Sequence, residues 1–187
     1  MEAFDIVYMV KDIIKQSITT LKPHKNDNLA ANRLCNIKIM SQKETWRTRK
    51  YWSQVGGLLV EEFLAVKGTK NSGRRPIDGL IVLNEKKGIH TDNFYDIEGK
   101  DVIVIQTKHN RIGMYLLGQA FFSKFLIERF NPRSIKCLAI CGKYDEVIGE
   151  LAKKHEVEVV VIQDNEYDEK YDSLIYVEKN KTLYNNG

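Results

Sequence analysis

The run Asp101 to Asn110, DVIVIQTKHN, constrains the fold more than any other stretch of the chain. Val102 to Ile105 are four successive β-branched apolar residues. That is the pattern of a strand buried on both faces, which requires a covering layer on each side of its sheet. The run closes with Gln106 and Lys108, which lie two residues apart and so project to the same side of a strand. An unpaired ammonium is costly to bury, so the end of this strand either reaches solvent or lines a site.

The rest of the chain supplies the covering layers. Residues Phe4 to Leu21 carry a helical apolar period stopped by Lys22-Pro23. Pro23 to Asn28 reads as a loop, and Leu29 to Met40 is ambiguous between periods. From about Glu44 the pattern predicts a helix that continues, with a break at Gly56-Gly57, through QVGGLLVEEFLAVKG to a glycine C-cap at Gly68. A strand follows over Ile77 to Asn84, then a polar connection and the DVIVIQTK strand. Arg111 to Phe130 predicts a long, largely buried helix closed by Asn131-Pro132. IKCLAIC, YDEVIGELAKKHE and VEVVVI then read as strand, helix and strand, the pattern of a parallel crossover. After Gln163 the chain turns polar, with one more strand candidate in SLIYVEK. The expected fold class is α/β, a mixed central β-sheet flanked by helices. The expected organisation is one compact α/β domain over residues 51–187 with a helical extension, 1–50, packed on it.

The chain of 187 residues has a formal net charge of +4. Its cations are grouped. KETWRTRKYW holds Arg47, Arg49 and Lys50 among Trp46, Tyr51 and Trp52, and KGTKNSGRR holds Lys70, Arg74 and Arg75 among small polar residues. Such segments are either solvated helix and loop surface with aromatics anchored in the core, or a surface that neutralises phosphates and stacks on bases. No 18-residue apolar run or signal-peptide pattern is present, which predicts an intracellular, cytoplasmic protein without a membrane partner. Cys35, Cys137 and Cys141 lack paired metal spacing and read as small buried hydrophobes. The four histidines are dispersed. His109, one residue past Lys108, is expected to face away from it.

Asp78 opens the strand before DVIVIQTK. If the two strands are antiparallel neighbours, Asp78 falls beside Gln106 and Lys108. On the expected LLVEEFLAV helix, 100° steps turn Glu62 toward the sheet and leave Glu61 at the border of that face. Two carboxylates and an amide oxygen would suit a hard divalent cation such as Mg²⁺, with Lys108 beside it acting on a water during phosphodiester hydrolysis.

In the order of its elements, and in PIDG followed by IQTK, residues 54–163 resemble the PD-(D/E)xK nuclease superfamily. The glutamine variant is most similar to Mrr-type restriction endonucleases. The resemblance implies a restriction-endonuclease-like core with Asp78 as the principal metal ligand, Gln106 as a second ligand through its amide oxygen, and Lys108 as the catalytic lysine. It implies Glu62 as the acid contributed by the helix, with Glu61 as the alternative, since Gly57 to Glu61 matches the GxxVE spacing of junction-resolving relatives. The implied function is a Mg²⁺- or Mn²⁺-dependent DNA endonuclease acting on duplex or branched DNA as a homodimer or dimer of dimers. The candidate interfaces are Phe4 to Leu21 and Met114 to Phe130. Two departures stand out: Ile77 separates Pro76 from Asp78, and Gln106 removes a charge where the family usually has Glu. The alternative is therefore a catalytically weak or inactive nucleic-acid-binding protein on the same scaffold. Gln119 reads as an ordinary helix polar group; RecB-like nucleases pair a similarly placed glutamine with a tyrosine where Ser123 stands here. A nucleotide-binding enzyme of flavodoxin-like type lacks its glycine-rich phosphate loop.

Overall fold

The computed structural model describes residues 44–172. The helix expected at 4–21, the segment 29–40, the SLIYVEK strand and Cys35 lie outside these residues. By internal contacts the chain divides into Met1–Met40 and Ser41–Gly187, and everything below concerns the second unit.

A helix, α1, covers residues 44–55 and stops at Gly56 and Gly57, which both take positive φ, +83° and +77°. At Gly57 a Cβ would lie 2.5 Å from the Val82 carbonyl oxygen, so the chain can turn here only with glycine. The expected continuation of the helix does not occur. LLVEEFLAV is instead a strand, β1 (Leu58–Val66). It pairs antiparallel with β2 (Arg75–Val82), Leu58 opposite Val82. A two-residue strand, β3 (Gly88–Ile89), joins β1 in parallel from within the polar connection. β4 (Asp101–Arg111) pairs antiparallel with β2, as the sequence reading required, with Gly79 opposite Ile105. α2 (Met114–Glu128), β5 (Ser134–Lys143), α3 (Glu146–Lys154) and β6 (Val157–Val161) follow, and β4, β5 and β6 run parallel. The result is a six-stranded mixed sheet in the order β3-β1-β2-β4-β5-β6.

The alternation within the central strands sorts the core into two sides. Leu59, Ile81, Ile103, Ile105, Leu138 and Ile140 meet Trp46 and Trp52 of α1. On the other side Val102 and Val104 pack with Ile127 of α2, while Cys137, Ala139 and Cys141 pack with Leu116, Leu117 and Ala120 of α2 and Ala152 of α3. The continuous apolar run of β4 is thus explained by a helix on each face. Trp46, Tyr51 and Trp52 belong to the core, which decides the alternatives left open for the aromatics of this segment.

The cations of α1 are turned inward too. Arg47 is fully buried and donates from Nε to the Ile162 carbonyl oxygen at 2.9 Å and from Nη2 to Asp164. Arg49, also buried, grips both carboxyl oxygens of Glu61 and the carbonyl oxygens of Tyr171 and Asp172. Lys50 is paired with Glu166 at 2.7 Å. These three residues fasten the segment after β6 to α1 and do not form the phosphate-facing surface expected of them. The boundary expected between residues 50 and 51 falls inside α1, which is part of the sandwich. Among the described residues no helix is long and apolar enough to cross a membrane.

Candidate functional site

Asp78 sits where β2 leaves its pairing with β4. Extending the register past Gly79–Ile105 sets Asp78 opposite Gln106. Its Oδ2 accepts the backbone N–H of Thr107 at 2.7 Å. The next residue, Gly79, lets α1 close over the sheet: a Cβ there would lie 2.6 Å from Cγ2 of Thr48. Thr48 in turn shares a hydrogen bond with Thr107 across 3.0 Å between the hydroxyl oxygens. The Asp-Gly pair therefore has two physical roles. Asp78 ties β2 to β4 at the mouth of the site, and Gly79 admits the helix above it.

The register on either side, Glu61 opposite Gly79 and Phe63 opposite Ile77, places Glu62 across from Asp78 on the neighbouring strand. Glu62 takes φ +51°, a left-handed value uncommon outside glycine and of the kind that concentrates at functional sites. Glu61 is not part of this cluster, because Arg49 holds it on the α1 side. Both acids thus come from a strand and not from a helix. The acid supplied by a helix is Glu44, at the start of the described part of α1 and the only acid within residues 44–55. The sequence reading passed over it because it assigned the helical acid to LLVEEFLAV.

Lys108 Nζ donates to Oε2 of Glu44 at 2.9 Å, and His109 Nδ1 lies 3.6 Å from Oε1 of the same carboxylate. His109 was expected to face away, yet it reaches the same acid. Past Lys108 the pairing of β4 with β5 shifts register, and at Gly142 β5 approaches so closely that a Cβ would lie 2.0 Å from the His109 carbonyl oxygen. This irregularity breaks the simple alternation of faces.

The electrostatics follow from crowding three acids around one ammonium. The carboxyl of Asp78 is pushed up to about 6, above all by burial; the Thr107 N–H and Lys108 oppose this, and the nearby Glu62 and Glu44 add to it. Glu62 is exposed to solvent, but its carboxyl end is crowded. Desolvation raises it, Arg74 counteracts, and Glu61, then Glu44, reinforce the rise. Burial pulls the ammonium of Lys108 down, but the hydrogen bond and charge of Glu44, with Asp78, outweigh it and hold Lys108 above its ordinary range. Lys108 is therefore a fixed positive charge at neutral pH.

Two cavities open beside this cluster, and Asp78 lines both. The smaller, about 40 Å³, is bounded by Glu44, Thr45, Thr48, Glu62 and Asp78. The larger is a groove of about 670 Å³ that runs along α2 past Gln106, Gln119 and Ser123 to Arg74 and Arg75. Gln106 is buried and its amide nitrogen donates to Ser123 Oγ at 2.9 Å, which leaves the amide oxygen as the atom able to serve a ligand. Gln119, read from sequence as an ordinary polar residue, lines the groove with a buried side-chain oxygen that has no hydrogen-bond partner. Lys70, Arg74 and Arg75 are exposed on the β1–β2 hairpin.

The donors suit a hard cation. Those around the smaller cavity are all oxygens, the carboxylates of Glu44, Asp78 and Glu62 and the hydroxyls of Thr45 and Thr48, while the amide of Gln106 lines the adjoining groove. A space of about 40 Å³ accommodates an ion with a water or two. Among the described residues no three His, Cys, Asp or Glu side chains stand close enough to form a metal cage alone. No protein-family model, curated protein or solved structure matches the chain.

Proposed function

We propose that the protein is a metal-dependent DNA endonuclease using Mg²⁺ or Mn²⁺, and that Glu44, Asp78, Gln106 and Lys108 form its active site. The observation that carries this reading is the pairing of Lys108 with Glu44 at 2.9 Å beside the clustered carboxylates of Asp78 and Glu62. Acids from α1, β1 and β2 and the lysine of β4 thus meet at one place, although they are up to 64 residues apart in sequence. The order of elements, helix, three antiparallel strands, helix and parallel strand, supports the resemblance to PD-(D/E)xK nucleases and to a restriction-endonuclease-like core.

In this reading Asp78, Glu44 and the Gln106 oxygen would hold the cation, with Glu62 at the rim. When bound, the cation neutralises charge on the scissile phosphate and lowers the pKa of a water. Lys108 stays protonated and orients the attacking water and a nonbridging phosphate oxygen by charge-assisted hydrogen bonds. The water oxygen bonds to phosphorus as it gives up a proton to solvent, the P–O3′ bond breaks, and the departing oxygen takes a proton from solvent. Lys70, Arg74 and Arg75 steer the polyanion to the mouth. Cleavage of both strands would call for two copies of the site, and hence a homodimer or dimer of dimers.

The test is a cleavage assay on supercoiled, linear, single-stranded and branched DNA with Mg²⁺ or Mn²⁺. Metal-dependent strand scission that Asp78→Asn removes supports the proposal. Binding without scission on every DNA shape supports the alternative of a non-catalytic DNA-binding protein.

A further inference from the structure

The groove along α2 is far larger than an ion requires. Its volume of about 670 Å³ lies in the range of roughly 300–1,000 Å³ that houses a drug-sized ligand, and a single nucleotide is of that size. Three kinds of chemistry line it. Tyr115 and Phe122 present unusually bare rings, 71% and 64% exposed. Phe121 packs edge-on against Phe122 at 5.2 Å between ring centroids and holds that ring in place. Arg74 and Arg75 are exposed guanidiniums at one end. Gln106 and Gln119 supply amides at the floor, with the Gln119 oxygen buried and unpartnered.

We propose that this groove takes one unpaired nucleotide of the DNA strand whose phosphate lies at Asp78, so that the preferred substrate carries a single-stranded segment, flap or displaced base at the cut. The inference rests on the nuclease reading for the identity of the polymer. Each part of a nucleotide finds its complement here. A base face stacks on Tyr115 or Phe122, its polar edge meets the unpartnered amide of Gln119, and the adjoining phosphate meets Arg74 and Arg75. A blunt duplex cannot fill the groove, because its base faces are already stacked. A helix from a second copy of the chain fits less well, since it would bury two guanidiniums and the Gln119 amide without partners.

The test is fluorescence anisotropy in EDTA, with a labelled single strand, a flapped duplex and a blunt duplex of equal length. Binding is then read whether or not the protein cuts. The wild type should bind the single strand and the flap at least about tenfold tighter than the blunt duplex, on the stacking energies typical of base–aromatic contacts. Tyr115→Ala and Phe122→Ala, both at exposed positions that leave the core intact, should weaken single-strand binding by about 5- to 100-fold. Their blunt-duplex binding should change by less than about twofold. Arg74→Ala should weaken all three and flatten the salt dependence. Equal binding of all DNA shapes, no binding of any, or aromatic variants that bind like the wild type would overturn the proposal. So would variants that change only the sedimentation of the protein, which would assign the rings to an interface between copies. Loss of the nuclease reading would appear separately, as absent scission with the single-strand preference intact.

Discussion

Lys108 Nζ and Glu44 Oε2 lie 2.9 Å apart, and that ion pair joins the end of the central strand to the start of the first described helix. Both side chains are partly buried, at 35% and 15% exposure. On the proposed endonuclease reading Glu44 and Lys108 act in one site, so Glu44→Gln and Lys108→Met should each lower cleavage by about 100-fold or more. The double variant should lose little beyond the worse single one. Single-turnover rates at saturating DNA measure this, and additive losses would separate the two roles.

Asp78 links stability to pH. Its folded-state pKa, about 6, lies above the ordinary 3.8, so between those values the native protein binds more protons than the unfolded chain. Stability is therefore lost as pH rises through roughly pH 4 to 6, by an amount on the order of 3 kcal/mol. Asp78→Asn removes the penalty and keeps an oxygen for the Thr107 N–H. Without divalent cations it should melt several degrees above the wild type at pH 7.5 and level with it near pH 4. Thermal melts across pH measure the difference, and a constant offset would rule out Asp78 as its source.

Gly79 and Thr48 form a size-matched pair. Gly79→Ala puts a methyl 2.6 Å from Thr48 Cγ2 and should destabilise the fold by about 1–3 kcal/mol. Thr48→Ser removes that methyl and keeps the hydroxyl bonded to Thr107, so the double variant should recover most of the loss. Urea midpoints of the four proteins give the coupling energy directly.

The parts of the fold legible in the sequence were those with a single reading. The β4 run and the strand-helix-strand finish have one period each, and the antiparallel placement of Asp78 beside Gln106 followed from them. LLVEEFLAV fits two periods. Its apolar residues suit either a helix or a strand, and the adjacent Glu61 and Glu62 obscure the alternation. The two glycines were read as a break within a helix, whereas their positive φ ends it. That one misreading carried the helical acid from Glu44 to Glu62. Arg47 and Arg49 were hidden for a different reason. Burying a guanidinium depends on its partners, and these lie 115 to 123 residues away for the carbonyls they bind.

Arg49 and Glu61 carry the other predicted stability effect. Arg49 is 4% exposed and bonded to both oxygens of Glu61. Arg49→Met leaves Glu61 unpaired and frees the Tyr171 and Asp172 carbonyls, which should cost about 3 kcal/mol and open residues 162–172 to proteolysis. Limited trypsin digestion followed by mass spectrometry locates the cut. Unchanged protection of this segment would show that other contacts hold it.

The most direct measurement of the central claim is calorimetric titration of Mn²⁺ into the DNA-free protein, the Asp78→Asn variant, the Glu44→Gln variant and Glu61→Gln as a control. Saturable binding is expected of the wild type and the control, weakened at least about tenfold by Glu44→Gln and abolished by Asp78→Asn. Undiminished binding by the Asp78→Asn protein, or none by the wild type, would contradict it.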